Sequence, residues 1–332
     1  MNYSYLGLLG ISFVIAIIMS FLILPVLKKK KIGQNERDDG PKSHLKKQGT
    51  PTMGGTIMIA TLVILTIALI RTQNTGLLEL SGISVRLKHI LPLIFVTLGF
   101  GSIGFLDDYL KMKRGNTEGL KPLYKMAGLT LIATIYIVYT VYVTKLGTET
   151  YIPILKQFVV VPVWIYIPFN ILVMLASTNS VNLTDGVDGL CSSVSIIILL
   201  ALSILGVVFR VNEVIFAGII LVGVCLAFLL FNAHPAKVFM GDTGSLFLGG
   251  AISVLAMQLQ APLILIVVAI IPVMEALSDI IQVLYYKKTK KRFFKMAPIH
   301  HHFELSGWSE TKIVSVFDLI TLVGCLIAIW IV

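Results

Sequence analysis

Ten apolar runs dominate the chain, at roughly 4–26, 53–70, 89–106, 127–144, 160–177, 191–209, 214–231, 246–259, 261–285 and 312–331. A helix needs about 20 apolar residues to cross the hydrocarbon core, and lipid offers the backbone no hydrogen-bond partners. Most of these runs therefore have one physical solution, a membrane-spanning helix. Only 13% of the 332 residues are charged, about half the share a soluble domain needs for its polar coat. An ordinary water-soluble globule, a disordered chain and a disulfide-stapled secreted domain are excluded. The fold class expected is an all-α polytopic membrane protein of about ten transmembrane helices, residues 1–332 forming a single integral membrane domain. The eighth run is short and reads as a tilted or partial helix. Cys191, Cys225 and Cys325 sit in apolar runs without CxxC spacing, so they read as small core or lipid-facing residues.

Charge placement sets the orientation. Of the 27 Lys and Arg residues, 21 fall in the loops that an even-numbered topology puts on one side, eight of them at 27–52 and seven at 286–312. The positive-inside rule assigns that side to the cytoplasm and both termini to the exterior. Lys28 to Lys31 follow the first run, the reverse of a cleavable signal peptide, so that run is expected to stay as a helix. The net charge of +10 is thus a topology signal, with some attraction for anionic lipid or substrate, and it does not point to nucleic acid.

The acids are sorted just as unevenly. Eleven of 17 fall on the cytoplasmic side, three outside (Glu79, Glu149, Glu213), and three (Glu275, Asp279, Asp318) inside runs toward their cytoplasmic ends. Loops that merely join helices do not need this inventory. Asp107 and Asp108 close the third run, where adjacent carboxylates repel unless a cation or proton relieves them. Solvated end-of-helix acids would be the plain reading, but Lys111, Lys121 and Lys125 downstream favour an anion and metal site. Asn179, Asn182, Asp185 and Asp188 recur every three residues, drifting by about 60° per step in helical geometry. A single helix cap would account for one of them, not four. Gly-Asp242-Thr-Gly-Ser follows Asn232-Ala-His234-Pro-Ala-Lys237-Val-Phe239, a turn able to offer backbone N–H groups and one carboxylate to a metal–phosphate complex. His300, His301 and His302 are adjacent, which suits phosphate donors better than ligands of one zinc ion. The stretch from Lys47 through Thr52 to Gly55 is by itself only a helix start.

Together these segments present five Asp, three Asn, several Lys and a His triplet. Carboxylates and amides suit Mg2+, an oxygen-seeking cation that borrows further ligands from substrate phosphates. No GxxxxGK[ST] is present, so the chain is not a P-loop ATPase. What such a site solves is the repulsion between two phosphates brought together for transfer. If one phosphate is carried by a lipid, the site must lie at the bilayer surface, where these motifs fall.

DDYLK, NxxNLTDGVDGL, NAHPAKVFMGDTGSL and MAPIHHHFE, in this order, resemble the polyprenyl-phosphate N-acetylhexosamine-1-phosphate transferase superfamily. PTMGG and HHHFE resemble its bacterial cell-wall members. The resemblance runs from Lys47 to Glu304, with no departure at the acidic positions. It implies transfer of phospho-N-acetylmuramoyl-pentapeptide from UDP-N-acetylmuramoyl-pentapeptide to undecaprenyl phosphate, giving lipid I and UMP in the bacterial plasma membrane. It also implies Mg2+ as cofactor, a homodimer, and a bent ninth helix beside a lipid groove; Pro272 permits that bend. Carried onto this chain, Asp242 would bind the metal, Asp107 would deprotonate or orient the lipid phosphate with support from Asp108, and a covalent phosphoryl-Asp107 stays open as an alternative. Asn179, Asn182, Asp185 and Asp188 would line the nucleotide site with Phe239 stacked on uracil. Lys47, Thr52, Lys111, Lys125, His300, His301 and His302 would hold diphosphate or neighbouring groups, with His301 counted among the catalytic residues. Glu275, Asp279 and Asp318 read either as helix-to-helix hydrogen bonding or as groove residues. A related enzyme using UDP-GlcNAc and a secondary transporter are the rival readings. The first is disfavoured by HHHFE. The second is disfavoured by acids that crowd one face rather than the midplane.

Overall fold

The computed structural model describes residues 3–29, 49–74, 85–115 and 118–332. Lys47 lies outside them. The helices are α1 (Tyr3–Lys29), α2 (Gly55–Asn74), α3 (Leu87–Arg114), α4 (Pro122–Tyr142), α5 (Val163–Thr184), α6 (Leu190–Val208), α7 (Asn212–Asn232), α8 (Gly241–Gln258), α9 (Leu265–Val268), α10 (Ile270–Thr289), α11 (Ile299–Glu304) and α12 (Glu310–Ile331). Among the described residues, eight helices are long and apolar enough to cross a membrane, or nine with the bent pair around Ala269 counted as one span. The chain is a predominantly helical, multi-pass membrane protein.

The helix that falls short is α8, the eighth apolar run. It sits at the centre, packed by α3, α5, α2, α6 and α7, and every residue from Thr243 to Gln258 is buried. Lipid is no poorer a solvent for Leu than the protein interior, so packing between spans comes from close approach of small side chains. Gly244, Ser245, Gly249, Gly250, Ala251, Ser253 and Ala256 supply that here. They also lower the hydropathy that made the run look partial. On α3, a Cβ added at Gly104 would overlap the Asp242 carbonyl and lie 2.8 Å from the Thr243 nitrogen. The carboxylate end of α3 therefore meets the start of α8 without a side chain between them.

Residues 261–285 carry the bend that the resemblance implies: a 3-10 turn (Pro262–Ile264) with α9 meets α10 at 86°. Pro272 has no N–H to give the carbonyl four residues back, which is Val268. That carbonyl is instead approached by the Cys325 thiol at 3.6 Å. What departs from the expected pattern is a small antiparallel hairpin, β1 (Glu149–Ile152) with β2 (Gln157–Val160), with Glu149 opposite Val160 and Ile152 opposite Gln157. It closes the far end of the bundle. The Tyr151 N–H donates to the Gln260 carbonyl at 2.7 Å, and the Tyr151, Phe158 and Phe209 rings meet edge to face. At the same end Arg86 binds the buried Glu213 at 3.0 Å, most of the length of α3 away from Asp107.

Candidate active site

Asp107 and Asp108 occupy the penultimate turn of α3, both buried, and Asp242 is the second residue of α8. One oxygen from each of the three lies within 4.8 Å of the others. Their remaining bonds distinguish them. Asp108 accepts the Thr243 N–H at 2.9 Å, the Thr243 hydroxyl at 2.7 Å and the Asp242 N–H at 3.3 Å. A helix start carries unpaired N–H donors and partial positive charge, so Asp108 anchors the first turn of α8 from another helix. Asp107 accepts the Leu120 N–H at 2.8 Å, tying down the segment that leads into α4. Asp242 accepts the Asn182 amide at 3.0 Å, and Asn182 also donates to Ser245 at 2.9 Å.

Two ammonium groups face the cluster. Lys111 Nζ lies 2.5 Å from Asp107, 3.1 Å from Asp242 and 3.6 Å from Asp108. Lys125 Nζ lies 2.7 Å from Asp242. Three carboxylates against two cations leave room for positive charge, and an all-oxygen donor set is what a hard divalent cation takes. The acids and amides present fit Mg2+ by donor chemistry, with Asp107 and Asp242 offering the oxygens least committed to backbone.

Asn179 and Asn182 lie on the last turns of α5, which ends at Thr184, so the three-residue spacing does not continue down one helical face. Asn179 donates to its own helix at Leu175, 2.7 Å, and contacts Met126 on α4; only Asn182 reaches the carboxylates. Asp185 accepts the Gly241 N–H. Burial holds its carboxyl well above the usual range, and the neighbouring charges of Asp242, Asp108 and Asp188 reinforce the shift. Asp188 turns the other way, accepting the Ala236 N–H at 3.0 Å and meeting His234 Nδ1 at 3.2 Å. Glu310, at the start of α12, accepts the Asp188 N–H at 3.3 Å and lies 3.7 Å from the same imidazole nitrogen. Asp188, His234 and Glu310 form a second set of groups close enough to share an ion.

Thr52 sits beside Gly241, and the segment containing it pairs with the start of α8. Phe239 donates to the Pro51 carbonyl at 2.8 Å and accepts the Gly54 N–H at 2.9 Å, which fixes the half-buried Phe239 at the mouth of the site. The three histidines lie on α11, and successive residues of a helix turn by about 100°. They consequently take different partners. His300 is buried against Glu275 at 3.1 Å, His301 binds Glu304 at 2.6 Å, and His302 accepts the Lys295 N–H at 3.1 Å. The sequence assigns no role to Glu310, His234 or Thr243, because their partners lie 46 to 135 positions away in the chain. Glu275 carries a signal as an acid inside an apolar run, and of its two readings the helix-to-helix contact is the one seen. Asp318 bonds the Ser193 hydroxyl at 2.7 Å, an ordinary tie between α12 and α6.

Residues 90–260 match the model of glycosyl transferase family 4. A phospho-N-acetylmuramoyl-pentapeptide-transferase of Acetivibrio thermocellus is 45% identical over 320 residues, covering 96% of this chain and 92% of the relative. Its counterpart in Clostridium acetobutylicum is also 45% identical, covering 96% of each chain. That of Clostridium perfringens is 47% identical, covering 96% and 95%. With identity of this size along nearly the whole length of both partners, the chain belongs to glycosyl transferase family 4 and, within it, to the phospho-N-acetylmuramoyl-pentapeptide-transferase family.

Proposed function

We propose that this protein transfers phospho-N-acetylmuramoyl-pentapeptide from its UDP-linked donor to undecaprenyl phosphate, releasing UMP and forming lipid I, with Mg2+ at the cytoplasmic face of the bacterial plasma membrane. The observation that carries the reading is the meeting of Asp107, Asp108 and Asp242 at one end of the bundle, with oxygens within 4.8 Å. An oxygen of the lipid phosphate attacks the sugar-bearing phosphorus of the donor, and the bond to the bridging oxygen breaks, so UMP leaves. Asp107 accepts a proton from the lipid phosphate or orients it. Asp108 holds the start of α8, and with it Asp242, in place. Asp242 with Asp107 would hold Mg2+, which would supply positive charge against the phosphate oxygens. Lys111 and Lys125 stay within reach of the same oxygens and add charge as the diphosphate arrives.

Asn182, Asp185 and Asp188 line the donor side, Phe239 offers a face to the base, and Lys47, Thr52, His301 and His302 contact diphosphate or neighbouring groups; His300 is buried and does not reach them. Resemblance to the superfamily supports a homodimer as the working unit, read by mass in detergent or nanodiscs. Purified protein with both substrates should release UMP in proportion to lipid-linked product, and only with a divalent cation. Product from UDP-GlcNAc alone would refute the donor assignment.

A further inference from the structure

Glu275 has no exposed surface and His300 is only 1% exposed. An acid of this kind inside a bundle is retained at a cost unless it is paired and used. Both its oxygens turn to one residue. Oε1 lies 3.1 Å from His300 Nδ1, and Oε2 lies 3.5 Å from the His300 amide nitrogen in the first turn of α11. Oε1 and both ring nitrogens are buried without a hydrogen bond of good geometry, and the other ring nitrogen, Nε2, points at Gly186. A Cβ at Gly186 would overlap Nε2 and lie 2.6 Å from Cε1. The imidazole is therefore clamped between a carboxylate on α10 and the bare backbone of the turn linking α5 to α6. Asp188 and Glu310 secure the far side of that turn. Asp279, one turn further along α10, adds its charge near His300 and His301 but is only half buried.

We propose that Glu275 is a positioning residue that, through the His300 ring, seats Gly186 and so fixes residues 182–190 for the UDP-linked donor. The donor part rests on the function proposed above; the mechanical part does not. Glu275→Gln keeps the volume and removes the charge, leaving an amide beside the imidazole. Hydrogen exchange on the full-length protein in detergent should quicken by about tenfold in peptides spanning 182–190 and stay at the parent rate in the hairpin 149–160. On an active parent, the donor KM should rise by about tenfold while the undecaprenyl phosphate KM stays within about twofold. In a His300→Ala background, Glu275→Gln should change neither reading further, because the effect travels through the ring.

Parent-like exchange in 182–190 overturns the proposal whatever the substrate proves to be. So does additivity in the double variant, a donor KM within about twofold of the parent, or an acceptor KM that moves as far as the donor's. A parent that releases no UMP from this donor refutes the proposed function instead, and the exchange measurement still decides the role of Glu275.

Discussion

Replacing Asp108 with Asn separates an anchoring role from a catalytic one. The native carboxylate accepts two bonds from Thr243, at 2.7 and 2.9 Å, and a longer one from the Asp242 N–H at 3.3 Å. Hydrogen bonds to a charged acceptor contribute about 1.5–3 kcal/mol and neutral ones about 0.5–1.5. Losing the charge thus costs roughly 1 kcal/mol for each Thr243 bond. The Asn NH2 must also face the Asp242 N–H, donor against donor, which adds about 1 kcal/mol more. The sum is about 3 kcal/mol taken from the seat of α8, equivalent to a fall on the order of 5 °C in the thermal midpoint. Asp242 shifts with the helix start, so turnover falls as well. Thermal unfolding in detergent and a UMP-release assay on the same preparation measure both effects. An Asp108→Asn protein with parental midpoint and parental turnover would show that these three bonds do not seat α8.

Asp242→Asn should lose the ion pairs with Lys125 and Lys111, so the midpoint falls, and turnover drops on the order of 100-fold or more with no recovery on added Mg2+. Chelation of divalent cations should abolish UMP release by the parent, and Mg2+ should restore it. Gly104→Ala drives a methyl into the Asp242 carbonyl and should cost about 1–3 kcal/mol, with loss of activity; Gly7→Ala, where a Cβ meets nothing within 4 Å, serves as the neutral control. Asp185 binds its proton more tightly in the folded chain than in the unfolded one. Its contribution is complete below the ordinary carboxylate range, near pH 4, and is lost as pH rises through the elevated value. In Mg2+-free buffer, Asp185→Asn should therefore flatten the alkaline side of the stability profile, and an unchanged slope would rule this out.

Hydropathy made most of the bundle legible because each outer helix exposes an apolar surface to lipid. It read α8 as short for a physical reason: a helix enclosed by protein trades large apolar side chains for glycine, serine and alanine. The hairpin at 149–160 escaped because its apolar residues merge with the run that follows, and its stability comes from Gln260 and Phe209, far off in the chain. Pro272 announced a bend, whereas its angle depends on Ala269 and on the packing of Cys325. At the site, motif order identified Asp107, Asp108 and Asp242 as acids worth following. It gave no hint that Asp108 would spend its oxygens on a helix start. Nor did the repeat of Asn and Asp reveal that Asn179 satisfies its own helix while Asp188 faces His234. The His triplet looked like one feature and is three, since a helix points neighbouring residues in different directions.

Lys111 reaches all three aspartates. The three acids bring their oxygens within 4.8 Å of one another, and at an effective dielectric of about 20 two charges that close repel by about 3 kcal/mol or more. A tethered ammonium among the three acids offsets that repulsion, so the ends of the two helices are held together by the chain's own charges. Under the proposed function, an arriving cation would share oxygens with a lysine already in place and would find its site already shaped.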